Sequence, residues 1–348
     1  MKIKPIKIGK KLVYPGNAYI IAEIGSNFDE SYSKAKKLIK KAKECGADAV
    51  KFQLFVTEEL LSKKGFKKKS AFQSKWKESV YDTYRKAELP RKWLKGLKEY
   101  ADKMKIDFFT SPWDLEAVDI MEKINVPAYK IGSGDITYHQ ILRKIASKEK
   151  PIFLATGASN LKEVSEAIKV IKKTGNQKIL LLHSVVQYPS PISDANLKSL
   201  EILREKFGLN VGYSDHSPGS LIPLASIALG ACVIEKHFSL NPKSKGPDHP
   251  HSMDTISFKK MVKDIRTLES AIGKKVKKPA SSESETRIIQ RRGIWTTREI
   301  KKGEKFNIQN IKPLRPALKI SASKFEQILG KKAKRNFKSF EAIGEEDI

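Results

Sequence analysis

Two short stretches carry the first chemical signal. VGYSDHS (211–217) and VIEKHFS (233–239) each run through apolar residues to a histidine, His216 and His237, in a chain that has only six histidines. If both end neighbouring parallel strands, about 4.8 Å apart, their imidazoles could share one divalent ion and leave positions open for water and a substrate oxygen. Glu23, at the end of AYIIAEIG, becomes their neighbour once a barrel closes, and could hold or deprotonate a water on that ion. Lys51 (in VKFQ) and Lys130 (in YKIG) lie inside apolar runs, where an ammonium is costly unless an anion faces it. With the hydroxyls of Ser111, Ser133 and Ser214 at other run ends, they predict a floor for a phosphate or carboxylate. Asp248, presented by the turn at Gly246 and Pro247, could accept hydrogen bonds from a sugar hydroxyl. His183 is open between a packed residue and a supporting one, and His249 and His251 read as loop residues rather than ligands.

These residues need strands to aim them. Eight β-type runs appear: 18–25, 47–53, 106–112, 127–134, 151–157, 178–184, 209–215 and 231–238. They are nearly continuous apolar runs, as expected of parallel strands covered on both faces. Helix-type stretches with apolar residues at helical spacing lie between them, the first (31–46) ending in glycine, a stop signal. Alternating strand–helix units predict a parallel sheet, and eight of them predict an α/β fold of the (β/α)8 TIM-barrel type over residues 1–273. An open doubly wound sheet is the alternative, weakened because no glycine-rich dinucleotide loop follows the first run. In a barrel the C-terminal strand ends converge on one mouth, which is where the residues above fall. Residues 57–90 form a long insertion on that face. A charged, serine-rich stretch, 274–285, reads as a linker. Residues 286–348 then form a small β-rich domain, marginal by itself.

The formal net charge is +29, from 68 Lys and Arg against 39 Asp and Glu. The lysines are spread along helix faces and loops without interleaved aromatics, so solvated surfaces are expected rather than a nucleic-acid partner. A positive field still favours a small anionic substrate. No apolar run is long enough for a membrane span, and no signal-peptide stretch follows the basic start. Cys45 and Cys232, the two cysteines, sit in packing contexts, so a reducing cytoplasm is expected.

Taken in order, IAEIGSN, KFQ, TSPWD, YKIGSGD, ATG, YPSP, GYSDHS, IEKHF and GPDH, followed by IKKGE and RP, resemble the sialic acid synthase family of N-acetylneuraminate, legionaminate and pseudaminate synthases. The resemblance implies a barrel followed by an antifreeze-like SAF domain. It implies condensation of phosphoenolpyruvate with an N-acetylated mannose-type sugar to a nine-carbon 2-keto acid, with release of phosphate by C–O cleavage. It implies manganese, or else magnesium, on His216 and His237. It also implies phosphoenolpyruvate on Lys51, Ser111, Lys130, Ser133 and Ser214, and the sugar on Glu23, Gln53, Asp135, Tyr188 and Asp248. It further implies a homodimer in which the SAF domain lends Arg315 to the partner's site. The chain departs from the family pattern at Phe28, Ala155, Val186, Ala317 and Trp113, and Val186 and Trp113 bear on the choice of sugar. GPDH leans toward the sialic and legionaminic branches. The rival readings are a barrel synthase joining phosphoenolpyruvate to a different aldehyde, and a basic nucleic-acid-binding protein.

Overall fold

A computed structural model describes residues 3–66, 68–69 and 71–348. The chain divides into two compact units, Met1–Gly273 and Lys274–Ile348.

The first unit opens with a hairpin of strands β1 (Ile6–Ile8) and β2 (Lys11–Val13). Eight strands follow: β3 (Tyr19–Glu23), β4 (Ala49–Leu54), β5 (Asp107–Pro112), β6 (Tyr129–Ile131), β7 (Ile152–Ala155), β8 (Ile179–Ser184), β9 (Asn210–Asp215) and β10 (Val233–His237). They form one parallel sheet in the order β5-β4-β3-β10-β9-β8-β7-β6, with the last strand paired to the first. Strands β5 and β6 bring their Cα atoms within 8 Å of each other, which completes the ring. All eight expected β runs contain a strand; most are one to three residues shorter than the run, β6 keeps only three of its eight residues, and β4 extends one residue past its run. Their residues are buried almost throughout because helices cover the outer face and side chains fill the inside.

Several of the connecting helices start where a short polar side chain caps them. Asp114 accepts from the Ala117 amide at 2.7 Å ahead of helix Leu115–Lys123. Asn160 and Glu163 form a capping box for Leu161–Lys172. At the N-terminal end of the barrel Tyr19 stacks on Phe153 and Phe153 on Phe109, with ring centroids 5.9 and 5.4 Å apart. Lys11 of the hairpin pairs with Asp48 at 2.8 Å on the same end. That end is a packed floor, so a ligand enters from the other.

Because side chains alternate along a strand, Glu23, Lys51, Gln53, Ser111, Lys130, Ser214, Glu235 and His237 share the inward parity. Register places them side by side: His237 lies opposite Glu23, Glu23 opposite Lys51, Gln53 opposite Ser111 and Glu235 opposite Ser214.

The second unit has its own apolar core, with Ile294, Phe306, Phe337 and Ile343 buried, and a small sheet of β11 (Gly293–Thr296) and β12 (Ile311–Leu314). The stretch expected to be a linker, 274–285, runs into a 3-10 turn (Ser281–Glu283) and then helix Ser284–Gln290, so helical structure begins before residue 286. Among the described residues no helix is long and apolar enough to cross a membrane.

Candidate active site

Four buried ionic side chains form the floor of the mouth. Lys51 and Lys130 are 3% and 4% exposed, and Glu23 and Glu235 1% and 5%. Lys130 Nζ donates to Glu235 Oε1 at 2.7 Å, and the Ser214 hydroxyl donates to the same oxygen at 3.0 Å. Lys51 Nζ lies 2.8 Å from Glu23 Oε2 and 3.7 Å from Glu235 Oε1, and donates to Ser111 Oγ at 3.2 Å. Gln53 Nε2 donates to Glu23 Oε1 at 3.1 Å. Two carboxylates thus offset two ammonium groups, which is how the chain tolerates lysines at this depth.

The two carboxyls differ. Burial opposes ionisation of Glu235, but Lys130 and Lys51 outweigh it and take its carboxyl down to about 2. Burial dominates at Glu23 and raises it to about 7. The two lysines therefore favour the ionised form of Glu235, whereas burial favours the protonated form of Glu23.

Beside this floor stands a group of imidazoles. The rings of His216 and His237 are 5.5 Å apart by centroid, and His251 is 4.5 Å from His237. His216 Nδ1 donates to the Val185 carbonyl at 2.9 Å, which leaves the Nε2 lone pair of the neutral ring free for a ligand. Burial holds His216 neutral, its pKa lowered to about 3, and pushes His237 well below the usual histidine range. His237 Nδ1 and His251 Nε2 are buried and lack hydrogen-bond partners. Ligand atoms of His237, Asp248 and His251 all lie within 4.8 Å of one another. Neutral nitrogens with free lone pairs and a carboxylate fit a divalent cation.

Asp248 is held by Ser26, whose amide and hydroxyl both donate to Oδ2 at 2.8 Å. Gly25 makes this approach feasible. Its φ is +53°, and a Cβ there would come within 2.3 Å of Asp248 Oδ2.

A cavity of about 430 Å³ joins these parts. Glu23, Lys51, Gln53, Ser111, Lys130, Ser133, Asp135, Tyr188, Ser214, His216 and His237, each expected at the mouth, all line it. Tyr188 packs on His216 with centroids 4.3 Å apart. Ser133 Oγ accepts from the Gly157 amide at 3.0 Å, and a Cβ on Gly157 would strike that oxygen. Burial raises Asp135 to about 6. Asp248 stands beside the cavity, with the imidazoles. Arg315 belongs to the second unit, where it is exposed after β12.

The other histidines separate cleanly. His183 has the outward parity and its Nε2 lies 3.0 Å from the Ala195 carbonyl. His249 bridges Ser239 at 2.7 Å and Asp29 at 2.8 Å, anchoring the loop after β10. His251, read from sequence as a loop residue, stands with the ligand candidates. Sequence reasoning does not single out Glu235; its even spacing from His237 along one strand is the signal that places both on the inward face.

Comparison with known proteins identifies the family and the fold. Residues 38–277 match the NeuB family and residues 291–348 match the SAF domain. The chain belongs to the NeuB family. It is 43% identical over 331 residues to the N,N'-diacetyllegionaminic acid synthase of Campylobacter jejuni, covering 94% of this chain and 98% of that one. It is 37% identical over 331 residues to the pseudaminic acid synthase of Helicobacter pylori, covering 94% and 97%. The crystal structure of the N-acetylneuraminic acid synthetase of Leptospira borgpetersenii superposes with a TM-score of 0.74 at 30% identity, over 82% of this chain and 95% of that one.

Proposed function

We propose that this NeuB-family protein condenses phosphoenolpyruvate with an N-acylated mannose-type sugar, giving a nine-carbon 2-keto sugar acid and inorganic phosphate. The observation that carries the reading is the cavity itself, where a lysine floor and a cluster of neutral imidazoles face the same volume.

Lys51 and Lys130 receive the phosphate and carboxylate of phosphoenolpyruvate, with Ser111, Ser133 and Ser214 donating hydrogen bonds. Gln53, Asp135 and Tyr188 orient the open-chain sugar, and Asp248 serves either its hydroxyls or the cation. His216 and His237, with His251 and Asp248 beside them, would hold a divalent ion, manganese first and magnesium second. Such an ion supplies Lewis-acid chemistry at the aldehyde oxygen when bound. C3 of phosphoenolpyruvate forms a bond to the aldehyde carbon, and positive charge develops at C2 against the buried carboxylates. Glu23 takes a proton from the water that adds at C2 and returns it to the alkoxide oxygen left at the former aldehyde carbon. The resulting tetrahedral carbon expels phosphate by cleavage of its C–O bond. The chain acts as a homodimer in the cytoplasm, with Arg315 contributed across the dimer.

Phosphate release from phosphoenolpyruvate, with N-acetylmannosamine and 2,4-diacetamido-2,4,6-trideoxymannose as acceptors and with or without manganese, tests this reading. Manganese-dependent release that requires an acceptor is expected, with a product mass equal to both substrates plus water minus phosphoric acid. Release without an acceptor, or no release with either sugar, would refute it.

A further inference from the structure

Behind the two histidines the barrel wall holds a charged pair that the proposed chemistry does not use. Asp215 and Lys236 point outward from the sheet, beneath the covering helices, and each is 1% exposed. Neither lines the cavity. They stand directly opposite one another in the register of β9 and β10. Lys236 Nζ donates to Asp215 Oδ2 at 2.5 Å and also to the Ser217 carbonyl. Asp215 Oδ1 accepts from the Ser217 amide at 3.0 Å and from its hydroxyl at 2.8 Å.

Stability alone does not account for such a pair, because apolar side chains of similar volume fill a buried site as well or better. Its place in the fold gives a second reason. Strand β9 ends at Asp215, so His216 leaves the sheet at the point where it has to be held. Asp215 and Lys236 form the last rung of the β9–β10 register. Beyond that rung side chains take over from the ladder. Between them the two residues engage the amide, the hydroxyl and the carbonyl of Ser217, so the chain on both sides of His216 is tied to β10. Lys236 itself immediately precedes His237. On the cavity side His216 has its own ties, from its carbonyl to the Ser190 amide at 3.0 Å and from Nδ1 to the Val185 carbonyl at 2.9 Å. The ring of His237 has no such bond at Nδ1, so its place relative to His216 depends on the link between the two strands.

We propose that Asp215 and Lys236 are positioning residues for the cation. They brace the turn at His216 against β10 and hold its imidazole at the separation from His237 that lets both rings share one divalent ion. This rests on the cation site proposed above and adds to it two residues that touch neither ion nor substrate.

The test replaces the pair as a unit. Asp215→Leu combined with Lys236→Met removes both charges together and leaves no uncompensated ion in the wall. Manganese affinity is read by electron paramagnetic resonance of the free ion, and phosphoenolpyruvate affinity by calorimetry on the metal-free protein. Manganese is expected to bind roughly 10- to 100-fold more weakly, the usual cost of losing support behind a metal ligand, with phosphoenolpyruvate affinity unchanged. The same pair of substitutions in a His216→Ala background is expected to cost little more, because a brace that acts through His216 has nothing left to place. Ser217→Ala, which deletes only the hydroxyl bond to Asp215, covers the case in which the double variant fails to fold. It is expected to weaken manganese binding in the wild-type background and not in His216→Ala. Wild-type manganese affinity in these variants, equal losses with and without His216, or a parallel loss of phosphoenolpyruvate affinity would overturn the brace and leave the cation site standing. A wild-type protein that binds no manganese would overturn both.

Discussion

Glu235 answers two ammonium groups at once, taking 2.7 Å from Lys130 and 3.7 Å from Lys51. Glu235→Gln leaves Lys130 buried beside a neutral amide, and removing one partner of such a pair costs about 3–5 kcal/mol. A lower urea midpoint is expected, partly restored by inorganic phosphate, which supplies the missing negative charge. An unchanged midpoint would mean that Lys130 gives up its proton instead. Asp135 yields a pH prediction. Burial raises its carboxyl from 3.8 to about 6, so the folded chain holds this proton more tightly than the unfolded chain does. Its stabilising contribution is present below about pH 4 and is lost as pH rises through about 6. An ionised Asp135 accepts hydrogen bonds from sugar hydroxyls better, so KM for the sugar is expected to fall between pH 5 and 7. Asp135→Asn should lose that fall in the sugar KM, while any pH dependence of kcat that comes from Glu23 stays; a wild-type KM profile in the variant would remove Asp135 from the sugar site.

Among elements, the loop after β10 contributes most to the histidine cluster. His249 ties it to Ser239 and Asp29, and this strut places Asp248 and His251 on either side of it. His249→Ala is expected to weaken manganese binding about 10- to 100-fold, the usual cost of losing support behind a metal ligand, with little change in barrel unfolding. Titration of the free ion by electron paramagnetic resonance reads the affinity directly, and wild-type affinity in the variant would show that the strut does not position the cluster. The strut also explains what sequence reading missed. Nothing in the spacing of Asp248, His249 and His251 tells which one turns inward, because long-range bonds to residues 29 and 239 decide it. The strands were far more legible. Their apolar runs mark them, and period-two alternation sorts Glu235 and His237 inward from Lys236, which pairs instead with the outward Asp215 at 2.5 Å. The ring contacts of Phe72 with Tyr188 and of Phe55 with Trp113, both 4.8 Å between centroids, were not legible, since these residues share no period and meet only after folding.

At the scale of the whole molecule, the barrel supplies the floor and the cluster from one chain, whereas Arg315 sits in the second unit. If Arg315 completes a partner's site, two inactive variants can complement each other. Mixing Arg315→Ala with His237→Ala subunits is expected to restore about one quarter of wild-type phosphate release, since random exchange gives half mixed dimers, each with one intact site of two. No recovery after verified subunit exchange would place Arg315 in its own chain's chemistry or outside the site. The charge of +29 adds a further expectation at this scale. Association with phosphoenolpyruvate should slow as salt rises through the range in which surface charges are screened.

The most direct measurement of the central claim is an anomalous difference map at the manganese edge, from crystals soaked with manganese and phosphoenolpyruvate. One peak is predicted among His216, His237, His251 and Asp248, with the phosphate and carboxylate of phosphoenolpyruvate on Lys51 and Lys130. A peak elsewhere on the chain, or phosphoenolpyruvate bound away from the two lysines, would contradict it.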